Sequence, residues 1–291
     1  MADASGNPVS PDASFARAIN EARPIVMAAL AAHLRDLDAA EDAFSEACIA
    51  LTESRAQPDH LAGWLITVGK RKAIDAIRRR DAQARAADNA AYLVNPEGTD
   101  MGEVIELPEP IADERLRLLF ICCHPALALE ARAALALKVI CGLPVEDIAR
   151  LFLTSEPTMY QRITRAKTKV RDACISFELP LRKDWGERLE AVLLTLELAY
   201  TAAYQDAGGT SEINRGGELA SESERLAVML AELLPQEAEA LGIAALVTLA
   251  RSREGARVDD DGAMVPLSKQ NTAKWDAARI ARARQRLEDA A

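Results

Sequence analysis

The chain has 291 residues, of which 49% are apolar and only 4% aromatic, and its formal net charge is −10. That length suits two or three modest domains with ample material for a core, and the abundance of Ala and Leu over aromatic residues favours helix–helix packing over sheets. The acidity argues against a free-standing, tight duplex binder, which is usually basic overall, and fits DNA contact made locally, with a large partner supplying most of the affinity. The five cysteines, Cys48, Cys122, Cys123, Cys141 and Cys174, are odd in number and form no framework, which predicts reduced thiols. The opening MADASGNPVSPDAS has no signal-peptide pattern, and no apolar run is long enough to span a bilayer. The expectation is a cytoplasmic protein that makes no membrane contact.

Residues 1–13, rich in Ser, Pro, Gly and Asp, read as a disordered leader. Helical periodicity then runs from Ser14 to Arg80. Within it, a helix over Leu37–Leu51 puts Leu37, Ala40, Phe44, Ala47 and Leu51 on one face and leaves Asp38, Glu41, Asp42 and Glu46 outside it. After a polar break at Arg55–His60, a longer helix spans Leu61–Arg80. Its first half is apolar on two sides, with Leu61, Leu65 and Val68 on one and Ile66, Ala73 and Ile77 on the other. Its second half is basic: Lys70, Arg71, Lys72, Arg78, Arg79 and Arg80. Trp64, Arg71, Asp75 and Arg78 share a stripe. An indole beside guanidinium groups suits an unstacked base and its phosphates. The same pattern also suits a core tryptophan on a helix whose cations favour the C-terminal dipole.

From Asp81 to Pro110 the periodicity weakens and Asn95, Pro96, Gly98, Gly102, Pro108 and Pro110 mark a linker. It is acidic (Asp88, Glu97, Asp100, Glu103, Glu106, Glu109), which fits a solvated tether and a nucleic-acid mimic equally. A second helical block covers Ile111–Ser176 and contains a helix-turn-helix at Leu143–Arg171. Its first helix, Val145–Phe152, buries Ile148 and Phe152. Leu153, Thr154 and Ser155 form the turn, and Pro157 falls in the first turn of the second helix, where a missing donor costs little. Met159, Ile163, Ala166 and Val170 form the inward stripe of that second helix. Gln161, Thr164, Arg165 and Thr168 point outward, flanked by Arg162, Lys167, Lys169 and Arg171. Amides, hydroxyls and a guanidinium read base edges, and flanking cations hold phosphates.

Leu179–Pro180 breaks the pattern, and a third block of about four helices fills Asp184 to the C-terminus. Gly208–Gly209, Gly216–Gly217 and Pro235 separate its helices, and Arg253–Ser268 forms a loop with a short hairpin at Asp261–Gly262. Trp185 and Trp275 read as packing anchors. The adjacent Cys122, Cys123 and His124 lack the second couple that a zinc site needs, so the thiols are assigned to the core and His124–Pro125 to the end of a helix. The run Asp259–Gly262 lacks the later Glu of a calcium loop. Neither a metal nor a cofactor is expected, and no nucleophile motif, phosphate loop or catalytic carboxylate pair points to an enzyme.

Taken in order, these segments resemble a bacterial sigma factor of the extracytoplasmic-function group. DLDAAEDAFSEACIAL is similar to the region 2 helix that docks on RNA polymerase. HLAGWLITVGKRKAIDAIRRR is similar to the region 2 helix that engages the melted minus-ten element, and the second block resembles region 4, which reads minus-thirty-five. RLRLLFICCHPAL ahead of the helix-turn-helix resembles a subgroup with a helical, tetratricopeptide-like C-terminal extension. VLLTLELAYTAAY, ERLAVMLAELLPQEAEALGIAALVTLARSR and KWDAARIARARQRLEDAA resemble its segments. The chain departs from the family at Arg71, where Asn is usual, and at Leu198–Thr201, where an Asn-Glu-Gly-Tyr run is common.

The resemblance implies an all-α fold divided into a leader (1–13), region 2 (14–82), a linker (83–110), region 4 (111–176) and an extension (184–291). It implies a non-catalytic initiation subunit that binds core RNA polymerase through Asp38, Glu41, Asp42 and Glu46. Minus-thirty-five DNA would meet Gln161, Arg162, Thr164, Arg165, Lys167, Thr168 and Lys169. Minus-ten DNA would meet Trp64, Lys70, Arg71, Lys72, Arg78 and Arg79. A cytosolic regulator would contact the extension. The competing reading is a helix-turn-helix regulator with a C-terminal sensor or dimerisation domain.

Overall fold

The computed structural model describes residues 11–54, 56, 58–88, 114–173, 175, 177, 182–206, 215–259 and 263–291. Among them lie eleven α-helices and one isolated antiparallel bridge, Val258–Met264. The fold is all-α, as composition and periodicity predict.

Helices α1 (Pro11–Leu34), α2 (Leu37–Ser54) and α3 (Leu61–Asp88) pack on one another as an N-terminal module. α1 begins at Pro11, inside the segment read as a leader. α3 runs past the expected Arg80 into the segment read as linker, because Asp81–Asp88 (DAQARAAD) holds no Gly or Pro to stop it. The Asp36 carboxylate caps α2 by accepting from the Asp38 and Ala39 amides at 2.8 and 3.0 Å. The five apolar positions expected to face inward on α2 are buried, together with Ala43. At Gly69, α3 approaches its neighbours closely. A Cβ there would lie 3.1 Å from a Leu30 methyl and 3.2 Å from the Ala43 carbonyl oxygen. Ile77, expected on an apolar face of α3, is exposed, with no helix over it among the described residues.

Helices α4 (Glu114–Cys122), α5 (Leu129–Val139), α6 (Val145–Leu151) and α7 (Glu156–Asp172) form the middle module. α5 is apolar nearly all round, with Ala133–Leu137 and Val139 buried, as a helix enclosed by others must be. Cys122 and Cys123 sit in this core at 0% exposure, and His124 follows the end of α4, its Nδ1 accepting from the Ala126 amide.

The last four helices, α8 (Gly186–Asp206), α9 (Arg215–Leu233), α10 (Ala238–Ser252) and α11 (Ala277–Asp289), stack in sequence. Gly216 and Gly217, expected to separate helices, lie in the first turn of α9, a position where glycine costs little. Gly208–Gly209, Cys174, Ser176 and Leu179–Pro180 fall outside the described residues. The stack leans on the middle module through α8 on α5 and α9 on α4, and α9 also meets α1. Trp185 is buried with its ring centroid 5.4 Å from that of Phe120, and Arg188 donates to the Phe120 carbonyl at 2.8 Å. Arg132 donates to the carbonyls of Leu127, Pro125 and Glu187, which ties the turn before α5 to the start of α8. Arg115 of α4 meets Glu222 of α9 at 3.1 Å, with both side chains largely buried.

The N-terminal and middle modules meet where Arg23 crosses Gly142. Gly142 has φ 67°, and a Cβ there would sit 2.7 Å from the Arg23 Cδ and Nε atoms. Gly142→Ala combines a left-handed backbone, unfavourable by roughly 1–2 kcal/mol for an L-residue, with that clash. It is expected to lower the unfolding free energy by at least about 1 kcal/mol, read by urea denaturation against the parent chain.

Candidate nucleic-acid interface

The helix-turn-helix forms at the expected place. α6 ends at Leu151 with Phe152 half-buried as its C-cap rather than fully enclosed. Leu153 turns the chain in the left-handed region, φ 50°, with its side chain 95% exposed. Ser155 caps α7, its hydroxyl accepting from the Thr158 amide. The buried residues of α7 are the predicted stripe Met159, Ile163, Ala166 and Val170.

Gln161, Thr164, Arg165 and Lys169 are exposed on the outer side of α7, and Thr168 is half-buried beside them. Thr164 donates its hydroxyl proton to the Tyr160 carbonyl at 2.9 Å, so its oxygen can only accept. Arg162 pairs with Glu130 at 2.8 Å, and its guanidinium lies 5.8 Å from the Phe152 ring centroid. Between α7 and the start of α5 runs an open groove of about 340 Å³, lined by Leu127, Ala131, Thr158, Arg162, Arg165 and Lys169. Tyr160 is 65% exposed one turn before Thr164. It is absent from the residues expected to meet DNA, although the i,i+4 spacing to Thr164 puts it on the outer face.

Lys167 does not join this face. It reaches back to α2, donating to Asp38 Oδ1 at 3.0 Å and Glu41 Oε2 at 2.7 Å. Burial works against its charge, but the hydrogen bonds and fields of Glu41 and Asp38 outweigh it and hold the ammonium above its ordinary range. Arg171 reaches Asp38 Oδ2 at 3.5 Å. The acidic face of α2 is therefore divided. Asp38 and Glu41 are turned to the middle module, while Asp42 and Glu46 are exposed, with Glu46 3.5 Å from Lys72.

On α3, Trp64 is half-buried and packs against the core. Arg71, Arg78 and Arg79 are exposed, and Lys70 and Lys72 half-buried. The Arg79 Nε donates to the Asp75 carbonyl at 3.2 Å, which fixes the start of a side chain whose outer nitrogens stay available. Arg71, Arg78 and Arg79 are thus open to solvent, and the indole is packed nearer the start of the helix. Burial pushes the Cys122 thiol well above the usual range and the Cys123 thiol up to about 12, so neither supplies a thiolate at neutral pH. Among the described residues no group of three His, Cys, Asp or Glu could hold a metal, and no helix is long and apolar enough to cross a membrane.

Comparison with known proteins adds three domain matches. Residues 18–83 match sigma-70 region 2, residues 117–170 match sigma-70 region 4, and residues 188–291 match a family of unknown function, DUF6596. A protein of Rhizobium meliloti (strain 1021), described as uncharacterized, is 38% identical over 270 residues, which is 91% of this chain and 63% of the relative. This chain therefore spans less than two thirds of that relative's length. No solved structure matches.

Exposed cations and a packed indole call for different responses to truncation. Arg71→Ala, Arg78→Ala and Arg79→Ala are each expected to move the unfolding free energy by no more than about 0.5 kcal/mol. Trp64→Ala, half-buried, is expected to cost roughly 2 kcal/mol, below the 3–5 of a fully enclosed aromatic. Equilibrium denaturation followed by circular dichroism measures all four.

Proposed function

We propose that this chain, which matches sigma-70 region 2 and region 4 ahead of a C-terminal extension, directs core RNA polymerase to specific promoters. The observation that carries this reading is the placing of two exposed polar surfaces on separate modules. One is the outer face of α7, with Gln161, Thr164, Arg165, Thr168 and Lys169. A helix of that kind enters the major groove of duplex DNA with amide and guanidinium groups on base edges. The other is the basic end of α3, with Arg71, Arg78 and Arg79 exposed beyond a half-buried Trp64. Cations beside an aromatic suit single-stranded DNA, where stacking and phosphate contacts offset the cost of opening the duplex.

In this reading the boundaries are region 2 over 14–82, a linker over 83–110, region 4 over 111–176 and the extension over 184–291. The carboxylates of α2 take a basic surface of polymerase, which reconciles a net charge of −10 with work on DNA. The subunit contributes recognition and strand capture, and the chemistry of RNA synthesis belongs to polymerase. The extension modulates this activity, either within the chain or through a cytosolic regulator. A helix-turn-helix regulator with a sensor domain would instead bind duplex operators without polymerase and have no use for the α3 cations.

The test is transcription of fragmented genomic DNA by core polymerase with and without the chain, followed by mapping of transcript starts. New starts sharing an upstream element are expected. Arg165→Ala and Lys169→Ala should each weaken duplex binding by the polymerase complex. For every phosphate left without its cation, the slope of log K against log salt should become shallower by about 0.9. A folded chain that adds no starts to those of core enzyme alone refutes the reading.

A further inference from the structure

The extension holds a stretch whose charge runs against that of the chain. Residues 267–286 (LSKQNTAKWDAARIARARQR) carry six cations and a single carboxylate, Asp276, in a chain of net charge −10. Two of the six are engaged inside the extension. Arg279 lies 3.4 Å from Glu224 and 3.3 Å from Asp276, and Arg286 donates to the Thr248 hydroxyl at 3.5 Å. The other four, Lys269, Lys274, Arg282 and Arg284, are exposed. None of them forms an ion pair among the described residues. Arg282 lies within electrostatic range of Asp276, a carboxylate that Arg279 already occupies.

The register of α11 places these groups. Ala283 is buried and Ile280 half-buried on the side that packs against α10. At about 100° per residue, Arg282 and Arg284 therefore stand on opposite flanks of the outer face. Between them that face presents Ala278, Ala281 and Gln285, all exposed. It has no large apolar side chain of the kind that anchors a protein contact. The apolar side of α11 is turned to α10, which leaves no broad apolar face to lie on a lipid surface. Small side chains between cations suit the sugar-phosphate backbone of a duplex, which calls for charge and close approach. Glu288 and Asp289 follow, and Asp289 accepts from the Gln285 amide at 2.9 Å. The cationic surface is thus confined to the first two turns of α11 and the short turns before it, Leu267–Lys269 and Thr272–Lys274.

We propose that Lys269, Lys274, Arg282 and Arg284 form a second duplex-DNA contact, made with the phosphate backbone and without base readout. The proposal rests on the promoter reading, in which the outer face of α7 holds a duplex. Duplex DNA is stiff over about 150 base pairs, so it continues past the molecule beyond the stretch that α7 covers. α11 is joined through α10, α9 and α8 to the core on which α7 rests. A backbone contact there adds affinity rather than selectivity, and it offsets part of the repulsion between DNA and an acidic chain.

The test uses the full-length chain bound to core polymerase, on a promoter fragment taken from the mapped starts. Arg282→Gln/Arg284→Gln removes two charges from exposed positions, and Lys269→Gln/Lys274→Gln removes the other two. Affinity for the fragment is read over a salt series, and start positions are mapped again. For the arginine pair the expected result is binding at least threefold weaker at low salt, with a salt slope shallower by roughly 1–2 and unchanged starts. The lysine pair shifts affinity and slope in the same direction. Affinity and slope that ignore both double substitutions, while Arg165→Ala weakens the same complex, overturn the α11 contact and leave the promoter reading standing. Displaced starts overturn it too, since they mean base readout. So does weaker binding of the arginine variant to core polymerase without DNA, because the partner is then an acidic protein surface. A parent chain that adds no starts removes the promoter reading and this contact together.

Discussion

Helix α5 is apolar on almost every side, and α4, α6, α7 and α8 cover it. α7 lies against it from one direction and α8 from another. An enclosed helix leaves its neighbours little freedom, because interiors pack densely and rearrange in discrete steps. The outer face of α7 is aimed by the burial of Met159, Ile163, Ala166 and Val170 on this support. The extension's first helix rests on the same support, with Trp185 on Phe120 and Arg188 on the Phe120 carbonyl. Region 4 and the extension therefore share a core.

That sharing answers a difficulty posed by four stacked helices. A short stack of this kind exposes an apolar face at each end unless something caps it. Here region 4 covers the α8 end, through α5 behind α8 and α4 behind α9. The match of residues 188–291 to a family of unknown function thus meets a structural role: backing for the module that carries α7, with α9 reaching as far as α1 of the N-terminal module.

Charge is distributed under the same constraint. An acidic chain can present basic surfaces only if its carboxylates lie elsewhere or are already paired. Arg71, Arg78 and Arg79 at the end of α3 follow the first course. Lys167 follows the second, paired with Asp38 and Glu41 of α2, while Arg171 reaches Asp38 only at the surface. The outcome is an α7 whose local charge is smaller than its composition, a distinction invisible to any count of Lys and Arg.

Much of this is legible in the amino-acid order. The inward stripes of α2 and α7, the turn at Leu153–Ser155, the Pro157 start and the core placement of Cys122 and Cys123 all follow from local periodicity and backbone chemistry. Those act within a few residues and so leave their mark in a short window. Element ends are less legible. α1 starts earlier and α3 runs longer than periodicity predicts, since a helix continues through any tolerant sequence until a residue stops it, and DAQARAAD does not. Which polar residues of an outward face are free is not legible at all. Lys167 and Lys169 are near neighbours of one chemical type, yet one is enclosed by Asp38 and Glu41 and the other stands exposed. Sequence determined that α7 would have a buried side and a cationic side. Only the tertiary structure decided which cations remain exposed, because an ion pair between α2 and α7 depends on how two helices more than a hundred residues apart come to rest against each other.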